Sequence, residues 1–195
     1  MRTERVRVGA NVLNSPLRPP AVLAKAVATL DRLSGGRIEL GIGAGGYNEA
    51  IVGFGGPAGT PGDRYGAFKE SLEIIRGLWA SNGEPFTYEG KHHRLVGAKF
   101  GPVPTHPIPI WTGAMGPRML RLTGQVADGL LISAVYVPPE RLAEFNGFLD
   151  EGAARAGRPV TAIRRGYNLM GVIDLGTGLA DRPTRPGAIV GDVDH

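Results

Sequence analysis

With 195 residues, 42% of them hydrophobic, the chain is long enough for one domain with a real core and too apolar for default disorder. It contains no cysteine, which removes disulfides, thiolate metal sites and a cysteine nucleophile, and fits a reducing compartment; we expect a cytoplasmic protein. The net charge of +4 comes from scattered arginines without a basic, aromatic-interleaved block, and no apolar run approaches membrane-spanning length, so neither nucleic acid nor a bilayer is an expected partner.

Residues 6–13 read as a strand, followed by a loop stiffened by Pro16, Pro19 and Pro20. Val22, Leu23, Ala26, Val27, Leu30 and Leu33 form one apolar stripe, which predicts a helix over residues 21–33. Ser34-Gly35-Gly36 ends it. Residues 37–42 are the next strand and run into Gly43-Ala44-Gly45-Gly46. Residues 47–61 look like loop, and Asp63 is a plausible cap for a helix over 64–80, where Phe68, Leu72, Ile75 and Trp79 recur at helical spacing. The stretch PFTYEGKHHRLV predicts a hairpin turning at Glu89-Gly90. Residues 108–111 are apolar and β-prone, and Gly113, Gly116 and Pro117 break the run. Met119, Leu120, Leu122 and Val126 then fall at helical spacing, ahead of a short strand at 130–132. Pro138-Pro139 opens a helix reaching about Ala156, and Gly157 closes it. Residues 163–175 form a last strand, and the remaining tail is rich in Pro and Gly with no core period.

Strands and helices therefore alternate, with a hairpin inserted, which argues for parallel βα units in a doubly wound sheet or a barrel. We expect one domain over residues 1–195 with no internal linker.

Few side chains carry a strong chemical signal. Gly41, Gly43 and Gly46 spell G-x-G-x-x-G after a strand, but a Rossmann site needs a helix at once and a second strand soon after. A glycine-rich strand end that lets a ligand approach backbone fits better. His92-His93 lacks further ligands at metal spacing and reads as a solvated hairpin; His106 and His195 are isolated, and no metal is expected. Glu39 and Glu49 read as surface or helix-facing residues more readily than as cleft acids. Ser15, Ser71, Ser81 and Ser133 have no nucleophile-elbow context. Asp128 reads as a helix-end turn residue. Gly113 to Arg118 would present free N–H groups at a helix N-terminus, a cradle for an anion; spacing alone equally describes an ordinary strand-to-helix turn and favours it. Arg118 suits either a phosphate clamp or a surface ion pair.

Several segments together resemble the luciferase-like family of flavin- or deazaflavin-dependent oxidoreductases. They are ERVRVGANVLN, PPAVLAKAVATLDRLSGGRIELGIGAGGYNE, ESLEIIRGLW, FTYEGKHHRL and PIPIWTGAMGPRMLRLTGQVADGLL, in family order over about residues 3–175. The resemblance implies an α/β fold, a partial (β/α)8 TIM barrel running from about the third strand to the seventh with a hairpin insertion, incomplete at both ends. It implies a cofactor at the C-terminal mouth of the barrel. Carried over by position, Asn11 and Val12 match a bulge where relatives have a non-prolyl cis peptide supporting the cofactor ring. Gly43, Ala44, Gly45 and Asn48 match the glycine-rich end of the next strand, and Gly113, Ala114, Met115, Gly116, Pro117 and Arg118 match the turn that receives the cofactor phosphate. The cofactor implied is the deazaflavin coenzyme F-420, slightly ahead of FMN, used for hydride transfer or monooxygenation of a small organic substrate. The acid and base of relatives often lie after the first two strands, so no catalytic residue is assigned. A non-catalytic remnant or interaction module of the same fold is the alternative, and a homodimer stays open.

Overall fold

The computed structural model describes residues 3–174 and 188–192. The chain divides into two compact units, one of residues up to Gly113 with Val126–Asp128, the other of Ala114–Gln125 with Gly129 onward.

In the first unit, strand β1 is Val8–Gly9, β2 is Leu13–Asn14 and β3 is Ile38–Gly43. The single strand expected over residues 6–13 is thus two short ones, because the chain bends at Ala10–Val12, where the Asn11–Val12 peptide is cis. Both pair parallel with β3, which pairs parallel on its other side with β6, Ile110–Gly113. Along β3, Ile38, Leu40 and Ile42 are buried on one face. Glu39, Gly41 and Gly43 take the other, as strand alternation requires. Helix α1, Pro20–Ser34, buries Leu23, Ala24, Val27 and Ala28 and stops at Gly35, whose φ of 71° an L side chain adopts poorly.

Helix α2, Asn48–Gly53, corrects the expected loop. It has six residues and buries only Ile51, so it leaves no periodic stripe. A helix therefore does follow Gly46 closely. The next strands, however, are the antiparallel hairpin β4, Phe86–Glu89, and β5, Arg94–Ala98, and not the parallel strand a Rossmann unit requires. Helix α3, Pro61–Ala80, begins three residues earlier than expected. Its N-cap is Thr60, and Asp63 sits at the third helical position of a capping box in which each side chain bonds the other's backbone N–H. Trp79 donates from Nε1 to the Ala24 carbonyl at 3.1 Å, tying α3 to α1.

His106 is not isolated. Its Nδ1 lies 3.1 Å from Oδ1 of the fully buried Asp31 at the end of α1. Oδ2 of Asp31 accepts from the Thr105 amide (2.8 Å) and hydroxyl (2.6 Å). Burial alone would raise the carboxyl's pKa, but the Thr105 bonds and the nearby His106 outweigh it and hold it below the usual carboxylate range. Asp128 occupies a turn, as expected: its N–H donates to Ile110 O, and its Oδ2 accepts from Ile110 N and Arg76 Nη2, each at 2.8 Å.

The second unit contains helix α4, Pro117–Val126, strand β7, Gly129–Ser133, helix α5, Leu142–Arg155, and strand β8, Arg164–Asn168, which pairs parallel with β7. A 3-10 turn at Pro139–Arg141 replaces the first turn expected of α5. Leu120, Leu130, Phe145, Leu149 and Ile163 form the core. Gly124 and Gly152 bring α4 and α5 together: a Cβ at Gly124 would stand 2.1 Å from Leu149 O, and one at Gly152 2.0 Å from Arg121 O. The last expected strand is interrupted at Leu169, giving β8 and then β9, Met170–Asp174. Strand β10, Ala188–Asp192, pairs parallel with β9 within the tail, where no element was expected. Leu175 and His195 lie outside the described residues.

Two outcomes follow from this packing. Gly152→Ala should lower stability by on the order of 3 kcal/mol, measured by urea unfolding, because backbone and not a flexible side chain fills the space. Asp31→Asn should lose about 2 kcal/mol at neutral pH. A carboxyl held below its unfolded pKa stabilises the fold above that unfolded value, and the contribution fades as pH falls through the folded one. The acid-side decline in unfolding free energy should therefore be shallower in Asp31→Asn than in the parent.

Candidate functional site

Gly43 and Gly113 end the parallel strands β3 and β6 in register with each other, at the strand ends where ligands bind in α/β folds. A side chain at either position would press on Val12. A Cβ at Gly113 would come within 2.9 Å of Val12 Cγ2, and one at Gly43 within 3.1 Å of the same methyl. Val12 thus packs directly on both strand ends, and of the residues expected at the cofactor it is the one the structure brings into contact with Gly43 and Gly113. Asn11 beside it is exposed.

Ala44 and Gly45 continue from β3. Gly45 has a φ of 84° and lies against Pro16, whose Cγ would be 3.1 Å from a Cβ there. Asn48 is committed elsewhere: its Oδ1 accepts from Arg64 Nη2 at 2.7 Å and from Gly59 N at 3.3 Å, leaving only its amide NH2 for a ligand. In the second unit, Ala114 is buried while Met115, Gly116, Pro117 and Arg118 are exposed at the start of α4. Gly116 carries the N-cap role, its carbonyl accepting from Leu120 N at 2.9 Å. No atom lies within 4 Å of where its Cβ would be.

Glu39 lies on the same face of β3 as Gly41 and Gly43. It accepts from Arg7 Nη1 at 2.8 Å and from the Trp111 indole N–H, so it is a partnered carboxylate below the strand ends. Glu49 is exposed in the first turn of α2.

A second cluster surrounds the N-terminal half of α3. A cleft of about 440 Å³ lies among the loop 15–19, Ala44, residues 57–59, the first turns of α3 and the hairpin residues His92 and His93. The histidines are half-buried, which corrects the expected solvated hairpin. Glu70 holds them there: its carboxylate accepts from the backbone N–H groups of Lys91 (2.8 Å), His92 (2.9 Å) and His93 (2.9 Å). Burial pushes the Glu70 pKa up, but these three donors and His92 bring it below the ordinary value. The Asp63 carboxyl is also lowered, by its bonds from Thr60.

His93 Nε2 lies 3.1 Å from Ser71 Oγ, which is 2.8 Å from Ala67 O and 3.3 Å from Ser15 Oγ. Ser71 has one proton, and the Ala67 carbonyl can only accept it. With the hydroxyl proton on the Ala67 carbonyl, His93 donates from Nε2 to Ser71 Oγ; with it turned to the ring, Nε2 accepts. The sequence held a signal for the Thr60–Asp63 box in T-x-x-D, but none for the Glu70 contacts or the Ser71–His93 pair, which join residues about twenty apart through folding.

Comparison with known proteins defines the class. The luciferase-like monooxygenase family matches residues 1–175, and the chain belongs to that family. Among curated relatives, an F420-dependent glucose-6-phosphate dehydrogenase of Nocardia farcinica is 34% identical over 186 residues, 94% of this chain and 55% of the relative. Another, from Nakamurella multipartita, is 38% identical over 80% of this chain and 46% of its own. Among solved structures, an F420-dependent secondary alcohol dehydrogenase in complex with an F420–acetone adduct matches with a TM-score of 0.81 at 25% identity, over 89% of this chain and 52% of that one. The coenzyme F420-dependent tetrahydromethanopterin reductase from Methanopyrus kandleri matches with a TM-score of 0.76 at 28% identity, over 89% and 52%. The fold is α/β, part of a (β/α)8 barrel, and the chain spans about half the length of the curated relatives it matches.

Glu70→Gln should free the Lys91 amide, because one amide oxygen can keep the His92 and His93 donors that share Oε2, while the NH2 group in place of Oε1 cannot accept. Hydrogen exchange at Lys91 should accelerate by roughly tenfold, the equivalent of about 1.4 kcal/mol of lost protection, and by less at His92 and His93.

Proposed function

We propose that this chain carries the cofactor-binding part of a luciferase-like oxidoreductase that uses coenzyme F420, or FMN, for hydride transfer or monooxygenation of a small organic substrate. The observation that supports it most is the paired glycine ends of β3 and β6, whose one neighbouring side chain there is Val12, where the family places a flat ring. The residues present fit such a group. In the first unit, Asn11, Val12, Gly43, Ala44 and Gly45 offer backbone and small side chains toward the ring, and Asn48 contributes only its amide NH2. Gly113 ends β6.

In the second unit, Ala114 to Arg118 precede the first turn of α4, whose N–H groups have no intrahelical acceptors and favour an anion. The open space at Gly116 suits close approach of a phosphate to backbone. Arg118 would add a charge-assisted contact. When bound, the cofactor supplies the hydride or oxygen chemistry; the chain's own residues bind, orient and exclude water. F420 leads FMN because the relatives above 30% identity are named for F420. Soluble action inside the cell and self-association of two copies are part of the same proposal.

The purified chain should quench F420 fluorescence on titration, and FMN less strongly. Gly116→Val, which places two methyl groups where the phosphate would approach, should weaken binding by about tenfold or more without changing the unfolding midpoint. Absence of binding by both cofactors would favour the non-catalytic alternative and remove this proposal.

A further inference from the structure

We propose that the cleft between residues 15–19, the start of α3 and the His92–His93 corner is a binding site for a tetrahedral oxyanion group, built on side chains not assigned to the cofactor. Three cationic or donor-bearing side chains converge on it from three different elements: Arg18 from the loop after β2, Arg64 from α3, and His92 from the hairpin. Their local roles differ. Arg64 is fixed, its Nη2 donating to Asn48 Oδ1 at 2.7 Å and to Pro57 O at 2.8 Å. Its Nε is closed off from solvent, which leaves Nη1, without a hydrogen bond, as the donor open to the cleft. The Arg18 side chain has no hydrogen bond or ion pair among the described residues, and its backbone alone is engaged, with Ser15 O at 3.2 Å. His92 is anchored through its main chain by Glu70, so its ring is held at the cleft without its nitrogens being used.

One negative charge lies at the cleft. Asp63 is the carboxylate among the lining residues, and its Oδ2 accepts from Thr60 N at 3.2 Å and Thr60 Oγ1 at 2.7 Å. Two permanent positive charges therefore face one carboxylate that is occupied as a helix cap. An incoming anion meets a net positive wall whose geometry is preset by Asn48, Pro57 and Glu70. Donors arriving from three directions suit a tetrahedral head such as phosphate or sulfate better than a planar carboxylate, which a single arginine fork satisfies. At about 440 Å³ the cleft also leaves room for an organic group beside that head, against Pro16, Leu17 and Phe68.

The test is titration of the full chain with inorganic phosphate and with acetate, followed by NMR of the imidazole Cε1–H groups of its four histidines. Phosphate should shift His92 and His93 saturably, with a dissociation constant on the order of 1 mM, while His106, outside the cleft, stays fixed. Arg18→Gln and His92→Gln should each weaken phosphate binding by about tenfold, read on His93, with unfolding midpoints unchanged. Arg118→Gln, in the α4 turn, should leave this titration unaltered. The proposal is overturned if no saturable shift occurs by about 50 mM phosphate, if Arg18→Gln binds like the parent, or if acetate binds as tightly as phosphate. Failure of F420 or FMN to bind would leave the phosphate result untouched, because the donors here, Arg18, Arg64 and His92, are none of those assigned to the cofactor, although Ala44 borders both.

Discussion

The first unit depends on how closely residues 10–12 run to the neighbouring strands. A Cβ at Gly41 would stand 1.7 Å from Ala10 O, a distance no side-chain movement can relieve because the obstacle is backbone. At Gly43 and Gly113 the obstacle is the Val12 side chain itself. Three glycines on two strands thus serve one purpose: they make space for a single bend between β1 and β2. The strands keep their parallel pairing past the bend, since Leu13 resumes register with Ile42 and Asn14 with Gly43. The two strand ends remain free of side chains, and the bend supplies the only lateral wall described there, Val12. Any group lying against Gly43 and Gly113 must meet that isopropyl surface, so the fold and the proposed ring position have one cause.

Helix α3 does comparable work on the other side of the unit. Its first turn closes the Thr60–Asp63 box, its Arg64 holds Asn48 and the 57–59 segment, its Glu70 holds the tip of the hairpin, and its Arg76 reaches Asp128 and the Val126 carbonyl. Each contact uses a charged side chain to satisfy backbone groups in loops, which by themselves have no ladder partners. One continuous helix therefore sets the positions of α2, the hairpin and the start of β6. The exposed pairs on the same helix, such as Lys69 with Glu73 at 3.7 Å, add little by comparison, being solvated on both sides.

Much of this was legible in the residues. The α1 stripe, the left-handed glycine stop at Gly35 and the Glu89-Gly90 hairpin are local patterns, and local physics decides them. The misread elements fail for equally local reasons. Helix α2 buries one residue and is too short to show a period. At the start of α3 the sequence offers both Thr60 and Asp63, reciprocal members of one box, and the acidic member is the more conspicuous. The parts of the site that stayed hidden are contacts across long stretches of chain. Asp31 and His106 are 75 residues apart and Arg64 meets Asn48 across a turn of irregular loop, so no spacing rule joins them. The family resemblance found the strand-end glycines by position. It also placed Asn48 at the cofactor, where the structure shows its carbonyl oxygen already occupied.

That occupation separates two regions that the sequence presents as one glycine-rich loop. Residues 43–45 belong to the strand end, shaped by Val12 and by Pro16 beneath Gly45. Beyond it Arg64 holds Asn48 at the start of α2, and the segment after α2, residues 57–59, forms one wall of the basic cleft. Ala44 is the point of contact, since it follows Gly43 in the strand and also lines the cleft. The loop is thus pinned at both ends by different interactions, close packing at Gly45 and charge-assisted hydrogen bonds at Asn48. Because Arg64 spends Nη2 on holding the loop and keeps Nη1 without a hydrogen bond, the charge that builds the wall is also the charge that an anion in the cleft would meet. Binding there would require no new order in the loop, which is the condition under which a small ligand gains most from few contacts.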